Sequence, residues 1–318
     1  PARFRSQWAN TDFCNSSIDF DTVISGGPPR DGIRAIDDPF METVEEAQAW
    51  LVEQSPVIVV EIDGEARAYP QAILMRHEIA NDEIAGVPVA VTFCPLCNSS
   101  IIFDRRHDEQ ILTFGVSGVL RNSDMVMFDR ETESWWQQFT GEGIVGELNE
   151  ELLDIIPSQV IGFGQFAERY PDGLVMSRSG NFYGTNPYVG LDDSLPGVIN
   201  LYVGDYDERL PDRSRVLAVD LNGVVMAYPF ATLREEIVIN DTLGELEVIA
   251  FWQPGVASSL DTRNIDDGRD IGTAGLFSRT LEDGTVLDFV WDADNSVLMD
   301  EQTGSTWNLF GEAIDGDL

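Results

Sequence analysis

The chain carries one series of turns and aromatic residues twice, and this internal repeat constrains its fold more than any other feature. Ala68-Tyr69-Pro70 and Asn81-Asp82 return, at one constant spacing, as Ala227-Tyr228-Pro229 and Asn240-Asp241. Further matches are the turns Asp63-Gly64 and Asn222-Gly223, the series Thr132-x-Ser134-x-Trp136 and Thr303-x-Ser305-x-Trp307, Leu74 with Leu233, and Gly141 and Gly146 with Gly311 and Gly316. Turns fix corners and aromatic side chains fill a core, so the repeat predicts two tandem, fused copies of one structural unit.

The local patterns predict a mainly β fold with a few short helices, a β-rich α+β class. Strand-like runs cover 57–62, 87–93 and 100–104, and a helix capped by Thr43 is predicted over 43–51. We expect an extended N-terminal arm over 1–38, a first unit over 39–193 with an aromatic, Gly-rich extension, and a degenerate second unit over 194–318. The second copy stops before a counterpart of that extension, so either the second unit lacks the extension or the natural chain continues beyond Leu318.

Charge limits the partners that this chain can have. The formal net charge is −37, and all 19 basic residues are Arg. Such a surface repels phosphate backbones, so nucleic-acid binding is not expected, whereas cationic or surface-assembly protein partners are. A high-salt milieu and a codon bias towards Arg explain the composition equally well. No apolar run is long enough to cross a bilayer, so no transmembrane segment is predicted in this sequence.

The chemistry of the chain is concentrated in the first copy, which alone contains Cys94-Pro95-Leu96-Cys97 and His77. An alignment with one residue deleted places Trp252, Gly255 and Glu236 opposite Cys94, Cys97 and His77. Two thiols three positions apart across a tight turn suit either a disulfide or two ligands of one metal ion. A strand follows the motif, whereas a helix follows it in thioredoxin-type redox proteins, which favours metal binding.

The joint replacement of the three residues indicates that they belong to one site. We predict a Zn or Cu site with the ligands His77, Cys94 and Cys97, with Cys14 as a further candidate ligand, and with Asp82, Arg121 and Asp124 as the residues that orient the ligands. Two alternatives stay open: thiol–disulfide exchange by the cysteine pair, and a cell-surface structural or assembly subunit in which the pair forms a structural disulfide. No nucleotide-binding motif is present, so no nucleotide cofactor is expected, and no residue is assigned a catalytic role.

Several segments resemble a known family. They are His77-Glu78-Ile79 with Asn81-Asp82, Val89-Ala90-Val91-Thr92-Phe93-Cys94-Pro95-Leu96-Cys97, Phe114-Gly115-Val116-Ser117-Gly118 and Asn122-Ser123-Asp124. These segments are similar to those of the DUF3179 proteins of bacteria and archaea, whose function is not established. Members of that family usually carry secretion signals or lipid anchors, so the resemblance implies an extracytoplasmic location.

Overall fold

Strands dominate the computed structural model, which describes residues 2–193, 202, 207–221, 223–316 and 318. Strand residues make up 42% of the structure and helical residues 11%, which confirms the predicted mainly β class. Residue 194, the predicted start of the second copy, and Asn222 of the predicted second turn lie outside the described residues. The chain divides into unit 1, Pro1–Tyr206 with Val256–Asp270, and unit 2, Asp207–Gly255 with Ile271–Leu318.

Unit 1 contains the first seventeen strands and three helices. The strands are β1 (Val23–Ser25), β2 (Ile36–Asp37), β3 (Met41–Thr43), β4 (Pro56–Ile62), β5 (Glu65–Pro70), β6 (Ile79–Ile84), β7 (Val87–Cys94), β8 (Ser99–Asp104), β9 (Arg106–His107), β10 (Gln110–Ile111), β11 (Phe114–Arg121), β12 (Asp124–Asp129), β13 (Trp135–Gln137), β14 (Glu142–Val145), β15 (Ile155–Ile156), β16 (Gln159–Gly162) and β17 (Leu174–Met176). The helices are α1 (Val44–Ala47), α2 (Gln71–His77) and α3 (Phe163–Arg169).

Most of these strands form three five-stranded sheets. Their strand orders are β1-β11-β12-β13-β14, β15-β8-β7-β6-β2 and β16-β4-β5-β17-β3, and β9 pairs with β10 in a separate ribbon. The pairs β2–β6 and β5–β17 are parallel, and the other pairs in these sheets are antiparallel. The sheet of β6, β7 and β8 and the sheet of β11 and β12 supply the residues of the candidate site.

Local chemistry explains where these elements begin and end. Asp63 and Gly64, with φ of 49° and 81°, form the tight turn between β4 and β5, because Gly tolerates positive φ without steric cost. Thr43 caps α1 in a capping box with Glu46, as predicted. The helix is shorter than the predicted 43–51, because the chain continues as a tight turn in which Ala49 N donates to Glu46 O at 3.2 Å.

The segment 256–270 belongs to the core of unit 1, although it follows strands of unit 2 in the chain. Leu260 and Ile265 are buried in the same apolar cluster as Tyr69 and Leu74. The side-chain amide of Asn186 donates to the carbonyls of Ser259 at 2.8 Å and Thr262 at 2.9 Å. Unit 1 is therefore assembled from two separate parts of the sequence.

Unit 2 has fewer described strands than unit 1. It contains β18 (Val216–Leu221), β19 (Val224–Pro229), α4 (Phe230–Glu236), β20 (Val238–Leu243), β21 (Leu246–Gln253), β22 (Thr273–Ser278), β23 (Phe289–Asp292), β24 (Val297–Asp300), β25 (Thr306–Trp307) and β26 (Ala313–Asp315). These strands pair as β18-β19, β20-β21-β22 and β23-β24-β25-β26.

Matching side chains make matching hydrogen bonds in the two units. The shared bonds are Tyr69 to Asp82 and Tyr228 to Asp241, the side chain of Asn81 with the backbone of Phe114 and that of Asn240 with Phe289, and Trp136 to Asp129 and Trp307 to Asp300. The two copies predicted from sequence stay a prediction, and these shared contacts favour it.

The backbone also corrects our alignment at the cysteines. Phe93 N donates to Glu78 O at 2.8 Å, and Trp252 N donates to Ile237 O at the same distance. Phe93 therefore corresponds to Trp252, which moves the counterpart of Cys94 from Trp252 to Gln253. The one-residue deletion that we placed before this motif was therefore wrong. The strands β20 and β21 pair residue by residue without a gap, as β6 and β7 do.

Candidate functional site

The two cysteines lie at the turn between β7 and β8. Cys94 is the last residue of β7 and pairs in register with Ser99, the first residue of β8. Asn98, with φ of 53°, completes the turn. Cys94 is buried and Cys97 is half-buried, and both are free thiols. The predicted strand–turn–strand position of the motif is confirmed.

A carboxylate from another sheet completes a group of three candidate ligands. Asp124 begins β12, directly after a turn in which Asn122 and Ser123 have φ of 54° and 65°. Its Oδ1 accepts a hydrogen bond from Cys97 Sγ at 3.1 Å. The two sulfurs and one carboxylate oxygen all lie within 4.8 Å of one another, so this group could hold a metal ion.

The carboxylate of Asp124 is held in place by its neighbours. Its Oδ2 accepts hydrogen bonds from Gln137 Nε2 and from Phe139 N, the latter at 2.9 Å. Arg121, which we predicted as an orienting residue, pairs in register with Asp124 and donates to Gln137 Oε1 at 3.2 Å. Burial raises the pKa of Asp124 despite these hydrogen bonds.

The group disfavours negative charge unless a cation is present. The pKa of the Cys97 thiol is raised by its interaction with Cys94, by burial and by the negative charges of Cys94 and Asp124. A bound metal ion would reverse this penalty, because thiolate and carboxylate ligands are then neutralised by the ion.

The structure does not bring His77 and Cys14 into this group. In the described part of the chain, the group consists of Cys94, Cys97 and Asp124. His77 ends α2, its Nδ1 lies 2.7 Å from Arg34 O, and its ring packs edge-on against Tyr183. Cys14 is exposed.

Asp82, predicted as an orienting residue, lies on β6 in a different network. Its Oδ2 accepts hydrogen bonds from Arg67 Nη1 and from Tyr69 OH, both at 2.6 Å. This network joins β5 to β6 and is buried. Among the described residues, no hydrogen bond joins Asp82 to either cysteine.

Sequence reasoning missed Glu78 and Tyr188. Glu78 is buried, it has φ of 59° after α2, and burial raises its pKa to about 7. Burial first, and then the charges of Glu78 and Cys94, raise the pKa of Tyr188 to about 12. The negative charges of Glu78 and Cys94 thus act on Tyr188. The alignment of the two copies contains a signal for Glu78, since Ile237 occupies the matching position with φ of 64°.

No helix in the described ranges is long and apolar enough to cross a membrane.

Comparison with known proteins identifies a family but no function. The family model described as "Protein of unknown function (DUF3179)" matches residues 30–318. No curated protein and no solved structure matches the chain. The match covers nearly the whole chain and includes every residue of the cysteine and aspartate group. The chain therefore belongs to the DUF3179 family.

Proposed function

We propose that this chain binds a transition metal ion, Zn or Cu, through Cys94, Cys97 and Asp124. The observation that carries the proposal is the approach of three ligand atoms from these residues to within 4.8 Å of one another. Asp124 takes the place that sequence analysis assigned to His77.

The ligand set favours these metals over the hard cations. Thiolate sulfur selects Zn and Cu, whereas Mg and Ca prefer sites made of oxygen ligands. Three protein ligands also suit a site at which a further ligand or substrate binds to the metal. Gln137 donates a hydrogen bond to the carboxylate of Asp124 and so orients it, as outer hydrogen-bond partners commonly orient metal ligands.

The same electrostatics argues against the alternative of thiol–disulfide exchange. A redox-active cysteine needs a stabilised thiolate and therefore a lowered pKa. Asp124 and Cys94 act in the opposite direction on Cys97, whose pKa is raised. A cation next to the three groups removes this conflict, so metal binding is the better proposal.

Metal analysis of the full chain, purified without a His tag under reducing conditions, tests the proposal. We expect one Zn or Cu ion per chain, its loss in Cys97→Ser, and its retention in Cys14→Ser, which removes an exposed thiol outside the group. A metal content near zero in the unmodified chain, in both reduced and oxidised preparations, would refute metal binding. Trapping of a mixed disulfide in Cys97→Ser would then favour redox exchange, and a loss of stability alone would favour a structural disulfide.

We also propose that the protein acts outside the cytoplasm, as the family resemblance implies. Metal loading would then depend on extracytoplasmic metal. Fractionation of the native host with an antibody against the chain tests this proposal, and a purely cytoplasmic signal would refute it.

A further inference from the structure

Several arginines in the described part of this acidic chain are paired with acids. The chain has 56 Asp and Glu residues and only 19 basic residues. Arginines that make ion pairs with carboxylates are Arg30, Arg67, Arg106, Arg130, Arg209, Arg269 and Arg279. An arginine that lies in a cleft and makes no ion pair keeps its charge available to a bound anion.

Two arginines without an ion pair to any described residue line one cleft of unit 1, and a third packs on one of the lining residues. Arg76 and Arg263 line the cleft, together with Trp50 and Tyr183. The guanidinium of Arg178 lies over the ring of Trp50, 5.2 Å from its centroid. Positive charges gathered at one concave site repel one another, and a bound anion offsets that repulsion.

Hydrogen bonds hold the walls of the cleft in place. Arg76 donates to Thr185 O at 2.6 Å, and the loop that carries Thr185 is tied to the segment 256–270 through Asn186. Asp266 also lines the cleft, but its Oδ1 accepts a hydrogen bond from Ser55 Oγ at 2.6 Å. The donors of Arg263 make no hydrogen bond with the described residues, so they stay available to a ligand.

The volume of the cleft limits the ligand to a small molecule. The cleft measures about 90 Å³, and a single water needs about 10–15 Å³ by the same measure. It therefore has room for several waters or for one small ion with its contacts. Guanidinium groups match the paired oxygens of carboxylates and phosphates, and the rings of Trp50 and Tyr183 supply apolar walls.

We propose that this cleft binds a small oxyanion, a molecule with a carboxylate or phosphate group, through Arg76 and Arg263. The guanidinium of Arg178, over the ring of Trp50, adds positive charge nearby. The site is separate from the cysteine and aspartate group and does not depend on a bound metal.

Isothermal titration calorimetry of the full chain at fixed ionic strength tests the proposal, with inorganic phosphate and succinate as separate probes. We expect saturable binding of one probe per chain, and the tighter probe identifies the type of oxyanion. Arg263→Gln should weaken this binding about tenfold or more, because it removes a charged donor and breaks no hydrogen bond to described residues. Arg178→Gln should weaken it in the same direction.

Arg106→Gln is the matched control, since Arg106 is an exposed arginine of unit 1 that pairs with Asp104. Its affinity for the probe should equal that of the unmodified chain. Absence of saturable binding for both probes would overturn the proposal, and so would equal weakening by Arg106→Gln and Arg263→Gln. Neither result bears on metal binding, which is measured separately.

Discussion

Cys97 Sγ lies 3.1 Å from Asp124 Oδ1, although the two residues are supplied by different sheets. Cys97 belongs to the turn between β7 and β8, whereas Asp124 begins β12. The candidate metal site therefore exists only when the two sheets are folded against each other. Its properties should depend on Asp124 as strongly as on the cysteines.

Asp124→Asn should weaken metal binding about tenfold or more, because an amide oxygen carries no charge and binds a metal ion less strongly than a carboxylate. Competition with a chelator of known affinity measures the change. Asp129→Asn is the matched control, since Asp129 is buried on the same strand but accepts its hydrogen bonds from Trp136 and Thr132. It should lower stability and leave metal affinity unchanged, and equal effects of the two variants would contradict the assignment of Asp124.

His77→Gln should keep the metal stoichiometry of the unmodified chain. The Nδ1 of His77 lies next to Arg34 O, and His77 is outside the group of three ligand atoms. Metal analysis of His77→Gln, in parallel with Cys97→Ser and the unmodified chain, checks this expectation. A loss of metal as complete as in Cys97→Ser would restore His77 as a ligand.

Glu78→Gln should change how stability depends on pH. Burial raises the pKa of Glu78 in the folded protein to about 7, above its ordinary value of 4.5. The folded state therefore holds a proton that the unfolded state releases, and this stabilisation is lost as the pH rises from about 4.5 to about 7. Glu78→Gln lacks this loss, so its stability relative to the unmodified chain should rise between pH 5 and pH 8 by about 2–3 kcal/mol.

Urea unfolding of both proteins at the two pH values measures this difference. Glu83→Gln, which changes an exposed carboxylate on the same hairpin, is the control and should show no such rise. A constant difference between Glu78→Gln and the unmodified chain at both pH values would show that Glu78 titrates normally.

Tyr69→Phe should destabilise the protein by about 1–3 kcal/mol, because Asp82 loses a buried hydrogen bond of 2.6 Å. Tyr228→Phe removes the matching bond of 2.9 Å to Asp241 at a partly buried position, so its cost should be smaller. Denaturant midpoints of both variants test the order. A larger cost for Tyr228→Phe would mean that burial does not decide the strength of this bond.

Features that depend on neighbouring residues were predictable from sequence. The Asp63-Gly64 turn, the Thr43 cap and the strand–turn–strand position of Cys94 and Cys97 rest on contacts within a few residues. The helix predicted at 43–51 was too long, because the three-residue turn bonds of Ala49 and Trp50 interrupt the helical hydrogen bonds after Ala47.

Features that depend on distant residues were not predictable. The approach of Asp124 to Cys97 depends on how two sheets meet, and no periodicity in one sequence encodes that contact. Glu78 was overlooked because a buried carboxyl at a helix end has the same sequence pattern as an exposed one. Comparison with Ile237 at the matching place would have revealed it.

The return of residues 256–270 to unit 1 has a consequence for synthesis of the protein in the cell. The carbonyls that satisfy the amide of Asn186 are made only after most of β18 to β21 has been translated. Because translation proceeds at roughly 5–20 residues per second, the core of the nascent first unit lacks Leu260 and Ile265 for several seconds. A ribosome-bound chain that ends before residue 256 should therefore be more sensitive to protease than one that extends past residue 270.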